Sequence, residues 1–268
     1  FINSYNANRM AAPIDTKFLF REKEFHDIIN AYLKVDVVIL SGPSGTGKTR
    51  LALHYVKNHA DAKNKNTYCI HSNALPIYED LKLFLDRPGD YFLFIDDANQ
   101  LSGLQHIIRY VSMKPEGYNV KILITVRDYA LQKVINDVRA ITSYEILNVN
   151  VFSDNEIKEL LETSLCILNS DYQERIIRIA EGNARIAILA GKVACSSNRL
   201  ESIDDVSQLY EDYYGSNLED NQLFLDKNLC ITSGIIAFLE AIHLDYIDAL
   251  LPILQEKGLN RDSFIENI

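Results

Sequence analysis

The sequence predicts an α/β fold, in which five parallel strands form a sheet that is flanked by helices and followed by a helical region. Three observations predict it. Residues 37–41 form an apolar segment that runs into a glycine-rich turn and then into a helical pattern. Apolar segments at 91–95, 120–128 and 144–149 alternate with amphipathic helical patterns, which is typical of βαβ units. Beyond residue 150 the pattern is helical.

The sheet and its helices can be outlined from the spacing of apolar residues. A short β-rich segment at 67–70 and a helical one at 78–85 place an additional strand and helix between the first two apolar strands. Apolar residues at helical spacing predict helices at 21–34, 49–59, 99–112 and 130–139.

The helical part begins with a clear start motif. Ser153 and Glu156 form a capping box, and the helix that follows is predicted to turn its leucines inward as far as Leu168. A second helix is predicted to end at Gly182, and Asn183 can cap a third. We therefore expect a small helical bundle directly after the sheet.

The length of 268 residues suits one α/β domain with one or two helical ones. Polar residues at 196–198 mark a boundary. Beyond it, helices are predicted at 231–242 and 246–255, followed by a glycine turn and the start of a third helix. The predicted divisions are a lead-in segment at 1–19, an α/β domain at 20–150, a helical segment at 151–200 and a further helical segment at 201–268. Because the chain starts at Phe1 and its last residues begin a new helix, we expect a fragment that ends inside a truncated domain.

Composition excludes several classes of protein. The net charge is −10 and the pI is near 5.1, which argues against non-specific binding of nucleic acid or anionic membranes. The four cysteines form no C-x-x-C pair, so neither a zinc site nor a disulfide framework is indicated. No apolar segment approaches the roughly 20 residues of a membrane span. We expect a soluble, cytoplasmic protein without membrane or nucleic-acid partners.

The glycine-rich turn has the spacing G-x-x-x-x-G-K-T of a phosphate-binding P-loop. Glycines let consecutive backbone N–H groups turn inward on an anion, and the helix that follows adds the positive end of its dipole. Lys48 is expected to reach the β- and γ-phosphates and Thr49 to bind Mg²⁺. The predicted phosphate-binding residues are Gly42, Pro43, Ser44, Gly45, Thr46, Gly47, Lys48, Thr49 and Arg50.

Polar residues end two of the other predicted strands. Asp96 and Asp97 follow the strand at 91–95, where Asp96 is expected to hold Mg²⁺ beside Thr49 and Asp97 to orient the attacking water. Thr125 and Arg127 end the next strand, and the carboxyl ends of parallel strands meet at the ligand. The catalytic candidates are Lys48, Asp97 and Arg127. The alternative for Arg127 is a surface ion pair with Asp128, and for the two aspartates a turn or helix cap.

These motifs together with the segment Gly182-Asn183-Ala184-Arg185 resemble the STAND branch of the AAA+-like P-loop NTPases. The resemblance implies a five-stranded parallel P-loop NTPase sheet, a helical lid at 151–200 and a partial winged-helix-like region at 201–268. It implies ATP or ADP with Mg²⁺ as cofactors, and it gives Arg127 and Arg185 contacts with the γ-phosphate. Phe20-Arg21-Glu22 is similar to the family's G-R-E element near adenine, so Arg21 joins the nucleotide-binding candidates. The resemblance assigns no trans-acting arginine finger, for which Arg139, just before the last strand, is the only positional candidate.

The resemblance implies an ATP-hydrolysing signalling switch of the kind found in bacterial antiviral STAND proteins. Such a switch would form a homo-oligomer on activation, with effector and sensor domains outside this chain and a phage protein as trigger. The alternative is an AAA+ DNA-binding initiator or remodelling ATPase whose winged helix grips DNA. The acidic excess of 210–268 favours the switch, because a helix that reads a DNA groove is rich in Lys and Arg. A third reading is a scaffold that binds nucleotide without hydrolysing it.

Overall fold

The computed structural model describes residues 18–59, 65–70, 77–101, 103–197, 231–232, 235 and 244–266. The chain divides into two compact units, residues 1–206 and 207–268. The predicted domain divisions at 20–150, 151–200 and 201–268 remain predictions.

A five-stranded sheet forms the centre of the first unit. Its strands are β1 (Val37–Gly42), β2 (Asn66–Ile70), β3 (Gly89–Ile95), β4 (Tyr118–Arg127) and β5 (Tyr144–Asn148). Every pairing is parallel, and the spatial order is β2-β3-β4-β1-β5. Strand β4 therefore lies between the P-loop strand β1 and the strand β3 that leads to Asp96. All five carboxyl ends point toward one edge of the sheet, where ligands of open α/β sheets bind.

Helices cover both faces of this sheet, because alternate residues of each strand point to opposite sides. The helices are α1 (Glu22–Ala31), α2 (Lys48–Asn58), α3 (Tyr78–Phe84), α4 (Leu104–Ser112) and α5 (Leu131–Arg139). On one face, Val38, Leu40 and Phe94 pack with residues of α1 and α2. On the other face, Ile39 and Ile124 pack with residues of α3, α4 and α5. The predicted α/β fold is confirmed.

The predicted helix at 99–112 is shorter than expected. Residues Ala98–Gln100 form a 3₁₀ turn, and α4 begins only at Leu104. Gly103 precedes α4 with φ at +82°, in the left-handed region, so the helix cannot extend through it. Leu101 is nevertheless buried, as its spacing predicted, but it reaches the core from the loop.

Three further helices follow the sheet: α6 (Asp154–Leu165), α7 (Ser170–Ala180) and α8 (Ala184–Ser197). The capping box at Ser153 and Glu156 forms as predicted, with both reciprocal hydrogen bonds. The expectation that Leu168 faces inward is wrong, since its side chain is 76% exposed. Helix α6 ends at Leu165, and the next residue, Cys166, adopts the left-handed conformation at φ +55°, which breaks the helical spacing that placed Leu168 on the inner face.

The described part of the second unit is helical and small. A 3₁₀ segment at Leu244–Leu250 is followed by α9 (Leu251–Glu256) and α10 (Arg261–Glu266). A proline in the first turn of α9 explains why a new helix begins there instead of one helix over 246–255. Leu254, Leu259 and Phe264 form its buried core. Most of the helix predicted at 231–242 lies outside the described residues.

Within the described part of the chain, no helix combines the length and the apolar character that crossing a membrane requires.

Candidate functional site

The P-loop connects β1 to α2, and its shape depends on residues without a side chain. Gly45 and Gly47 have φ of +79° and +87°, in the left-handed region that glycine adopts without steric cost. Gly42 faces a different demand, because a Cβ built there would overlap with the backbone oxygen of Val149. The Thr46 hydroxyl donates to the Pro43 carbonyl at 3.0 Å and closes the turn. Pro43 and Ser44 lie exposed at its tip.

Lys48 is the first residue of α2 and is only 6% exposed. Its Nζ donates to the carbonyl oxygens of Gly42 and Pro43, at 2.7 Å each. Burial lowers the pKa of this ammonium from its ordinary value of 10.5, and the negative charge of Asp97 opposes that shift. Among the described residues, the hydrogen-bond acceptors of this ammonium are neutral carbonyls. A phosphate would interact with the buried cation more favourably, since it compensates the charge itself.

The carboxylate of Asp96 connects three segments of the chain. Its Oδ1 accepts hydrogen bonds from the hydroxyls of Thr49, at 2.8 Å, and Thr125, at 2.7 Å. Sheet register explains the second bond, because Ile95 pairs with Ile124 and so places the next residue of each strand side by side. Asp96 and Thr125 are both buried. The structure therefore brings the two predicted Mg²⁺ ligands, Thr49 and Asp96, into direct contact.

Asp97 lies at the more open side of the same strand end. Its backbone adopts φ +47°, which is uncommon for a residue other than glycine, and its N–H donates to Thr125 Oγ1 at 2.9 Å. Its carboxylate pairs with Arg127 at 3.9 Å between Oδ2 and Nη2, with both side chains about one third exposed. Arg127 is the register partner of Gly42, so it stands beside the start of the P-loop. The ion pair of Arg127 is thus with Asp97, and not with Asp128 as in the alternative interpretation.

Arg21 lies against the P-loop from the side of the N-terminal helix. Its Nη2 donates to the carbonyl oxygens of Thr46, at 3.0 Å, and Asn150, at 2.6 Å. The guanidinium also stacks over Phe152 at 4.1 Å and pairs with Glu24 at 2.7 Å. These contacts hold the P-loop to the segment after β5. Contact of Arg21 with an adenine base stays a prediction.

The residue before Arg21 has an unusual backbone for its type. Phe20 takes φ +62°, in the left-handed region, and occupies the position at which the related element carries glycine. Its ring packs edge-on against Phe152, with centroids 6.2 Å apart. The chain thus keeps the glycine-type turn and adds an aromatic contact to it.

The third helix after the sheet starts at the P-loop. Asn183 caps α8, because its Oδ1 accepts from the backbone N–H groups of Arg185 and Ile186 at 3.0 and 3.2 Å. Its Nδ2 donates to the Ser44 carbonyl at 3.1 Å. Arg185, partly buried in the first turn of α8, is therefore two residues from a P-loop contact. The sequence predicted the cap, but it contained no feature that predicted the contact with Ser44.

The remaining candidates are Arg50, Arg139 and Thr125. Arg50 is partly buried in the first turn of α2. Arg139, the positional candidate for a trans-acting arginine finger, is exposed at the end of α5, and the finger itself stays unassigned. Thr125 was expected only at the γ-phosphate edge, whereas it hydrogen-bonds both Asp96 and the backbone of Asp97. The T-x-R pattern at the strand end was the sequence feature that indicated it.

The donor set fits a phosphate chain with Mg²⁺. Backbone amides at a glycine turn, a helix N-terminus and the Lys48 ammonium suit an anion. The oxygen atoms of Thr49 and Asp96 suit Mg²⁺, which prefers hard oxygen ligands and keeps several of its waters. A bound ion would lower the charge on the phosphates and polarise the γ-phosphoryl group.

Solved structures of P-loop ATPases share this fold. The Thermotoga maritima RuvB Holliday junction branch migration motor aligns with a TM-score of 0.51 at 18% identity, over 90% of this chain and 83% of that one. The Aeropyrum pernix ORC1 protein, solved in complex with DNA, aligns with a TM-score of 0.59 at 16% identity, over 96% and 78%. The Walker-type ATPase PABY2304 of Pyrococcus abyssi aligns with a TM-score of 0.54 at 13% identity, over 93% and 89%. At these identities the likeness establishes the fold.

The sequence itself matches one family model. No curated protein sequence is similar enough to this chain to count as a match. The model described as "Novel STAND NTPase 3" matches residues 19–166, which is more than half of the chain and contains the P-loop, Asp96, Asp97 and Arg127. The predicted enzyme class, a nucleoside triphosphate hydrolase of the STAND type, is thereby confirmed. This chain belongs to the nSTAND3 family of STAND NTPases.

Proposed function

We propose that the chain is an ATP-binding and ATP-hydrolysing switch, in which the bound nucleotide controls oligomerisation and the activation of an effector outside this chain. The convergence of Lys48, Asp96 and Arg127 at the carboxyl ends of β1, β3 and β4 is the observation that supports it. A switch requires contacts that differ between two nucleotide states. Only the triphosphate carries a γ-phosphate, and that group would distinguish the two states.

The proposed chemistry assigns one task to each side chain. Lys48 binds the β- and γ-phosphates, and Thr49 and Asp96 hold Mg²⁺. Asp97 orients the attacking water, and Arg127 and Arg185 contact the γ-phosphate from the sheet and from the lid. Because Arg127 stands 3.9 Å from Asp97, the γ-phosphate would compete with that carboxylate for the guanidinium. ATP, and not GTP, is the proposed substrate, since the chain has no N-K-x-D motif.

A role in anti-phage defence, with a phage protein as trigger, is the biological setting that we propose from the resemblance to antiviral STAND proteins. The second candidate is a DNA-binding initiator or remodelling ATPase, and the specific observation in its favour is the alignment with ORC1 in complex with DNA. Charge argues against it, because residues 207–268 contain eleven acidic and three basic side chains. Salt-sensitive, ATP-dependent retention of duplex DNA on a filter would favour this second candidate.

Thermal unfolding with nucleotide tests the proposal. The chain contains no tryptophan, so circular dichroism is the suitable probe. ATP or ADP with Mg²⁺ at a hundredfold excess over Kd should add about 2.7 kcal/mol to the free energy of unfolding. Lys48→Ala should lose most of this gain, because the buried ammonium is the predicted phosphate ligand.

Lys57→Ala is the matched control, since Lys57 is an exposed lysine in the last turn of the same helix. This variant should keep the full nucleotide effect. Equal stabilisation of the parent and the Lys48 variant would contradict the proposal. Sedimentation in ATP and in ADP then tests the switch, because only the ATP form should assemble into an oligomer.

A further inference from the structure

We propose that Asn183 is a positioning residue that couples phosphate binding by the P-loop to the first turn of the lid helix α8. The inference rests on the proposed function, because it concerns how that same nucleotide site communicates with the lid. A single carboxamide makes both connections: its Nδ2 donates to Ser44 of the P-loop, and its Oδ1 accepts from Arg185 and Ile186 in α8.

The geometry of the peptide bond gives the first contact a consequence for ligand binding. The chain has no cis peptide among the described residues, and in a trans peptide the C=O of one residue and the N–H of the next point in opposite directions. Asn183 holds the Ser44 carbonyl, so it also directs the N–H of Gly45 away from the lid. The N–H groups of a P-loop are the groups that bind phosphate. Asn183 thereby fixes the direction of one of them.

Arg21 orients another peptide of the P-loop, the one between Thr46 and Gly47, in the same way. It holds the Thr46 carbonyl at 3.0 Å, and this fixes the direction of the Gly47 N–H. The two outside contacts therefore orient the amides of two successive glycines of the motif. The two contacts come from different parts of the chain: Arg21 directly precedes helix α1, whereas Asn183 caps the lid helix α8.

The lid side of the contact is close-packed and anchored. Gly45 has no side chain to keep Asn183 away, and a Cβ built there would overlap with the Asn183 carboxamide. The preceding residue, Gly182, accepts a backbone hydrogen bond from Phe152 at 2.9 Å, and a Cβ on Gly182 would overlap with the Phe152 carbonyl oxygen. A change in the Ser44–Gly45 peptide is therefore transmitted directly to Asn183, and through its Oδ1 to the cap of α8.

Thermodynamic coupling is reciprocal: if the cap of α8 helps to orient the P-loop, a nucleotide in the P-loop must stabilise the cap by the same free energy. Two measurements with ADP and Mg²⁺ detect the two directions. The first is the Kd for ADP. The second is the ADP-induced slowing of amide hydrogen exchange in a peptide that covers residues 184–190.

Asn183→Ser separates the contact with Ser44 from the capping of α8. Serine caps a helix about as well as asparagine, but its short hydroxyl does not reach the Ser44 carbonyl while it caps. We expect the Kd for ADP to rise about fivefold or more, and the ADP-induced protection of residues 184–190 to be largely lost. Circular dichroism without nucleotide should give a melting curve close to that of the parent.

The chain offers a matched control in Asn169, which is exposed and caps α7 through the same pair of side-chain bonds, to the N–H groups of Asp171 and Tyr172. Asn169→Ser should leave both ADP readouts at the parent values. Asn183→Asp, which keeps the acceptor and removes the donor, should weaken ADP binding as the serine variant does.

Each outcome bears on the inference separately from the proposed function. A parent chain that does not bind ADP would overturn the proposed function, and the inference with it. A parent that binds ADP while Asn183→Ser retains the same Kd and the same protection would overturn the inference alone. Loss in the aspartate variant only would also overturn it, because charge repulsion would then explain the effect. Equal losses in the Asn169 and Asn183 serine variants would reduce Asn183 to an ordinary helix cap.

Discussion

The ends of strands β1 and β3 lie at the same edge of the sheet but present different chemical groups. After β1 the chain presents backbone: a glycine turn whose carbonyls are held by Lys48 and Arg21. After β3 it presents side chains, with Asp96 bonded to two hydroxyls and Asp97 paired with a guanidinium. The first region therefore depends on the absence of Cβ atoms, and the second on which strands are neighbours.

This difference indicates how each region should respond to substitution. A site made of backbone amides fails when an added atom changes the path of the chain, and it should lose stability first. A site made of side chains can lose one functional group while the backbone stays in place, so its catalytic rate should fall before its stability does.

The largest effect is expected at the side-chain end, in Asp97→Asn. Asparagine tolerates the left-handed φ of +47° and keeps the shape, but it cannot act as a base. If Asp97 orients the attacking water, kcat for phosphate release should fall by about 10²- to 10⁴-fold, whereas the Kd for ATP should change little.

Asp128→Asn is the control, because Asp128 is an exposed carboxylate close to the same edge. It should hydrolyse ATP at the parent rate. Unchanged hydrolysis in Asp97→Asn would show that the Asp97 carboxylate does not orient the attacking water.

An intermediate effect is expected at the backbone end, in Gly42→Ala. The added Cβ would overlap with the Val149 carbonyl oxygen, which is backbone and cannot rotate away. Overpacking of this kind costs about 1–3 kcal/mol, to be measured as the loss in free energy of unfolding by urea.

Gly89→Ala provides the matched comparison, because the nearest atom to a Cβ there is a tyrosine ring carbon at 3.6 Å, an ordinary contact. If both alanine variants unfold at the same urea concentration, the close approach of Val149 to Gly42 does not limit the size of the side chain at this position.

The smallest effect is expected from Thr125→Val. The native Thr125 connects the strand ends of β3 and β4. The substitution preserves the branched shape but removes the hydroxyl that donates to Asp96 and accepts from the N–H of Asp97. A loss of about 1–2 kcal/mol in the free energy of unfolding is expected, since hydrogen bonds to charged groups contribute more than neutral ones.

Thr163→Val, at an exposed position of α6, should change stability by less than about 0.5 kcal/mol. If Thr125→Val were equally harmless, the hydrogen bonds at this strand end would not contribute to holding the two aspartates.

The sequence predicted the glycine-rich turn after β1 because its determinants are local. The glycines, Lys48 and Thr49 lie within eight consecutive residues, and the left-handed φ values at Gly45 and Gly47 follow from residue type. The strand ends at Asp96 and Arg127 were also predictable, since an apolar segment followed by polar residues marks a buried strand that ends at a surface.

Other features were beyond local patterns. The partner of Arg127 is Asp97, and this pairing depends on β4 lying between β1 and β3, an order that periodicity does not encode. The exposure of Leu168 follows from the left-handed residue Cys166, a conformation that a helical repeat does not indicate for cysteine. The placement of Arg21 on two backbone carbonyls required the fold to bring residues 21, 46 and 150 together, and its contact with an adenine base stays a prediction.

By itself, then, the sequence determined the element order, the glycine-rich turn after β1 and the residue types available at the sheet edge, because helix, strand and glycine-turn preferences act over a few neighbouring residues. Only the tertiary structure decided which side chains meet: Thr125 with Asp96, Arg127 with Asp97, and Asn183 with Ser44. The physical reason is that strand order and helix packing are set by burial of the whole core, and contacts between distant segments follow from that burial.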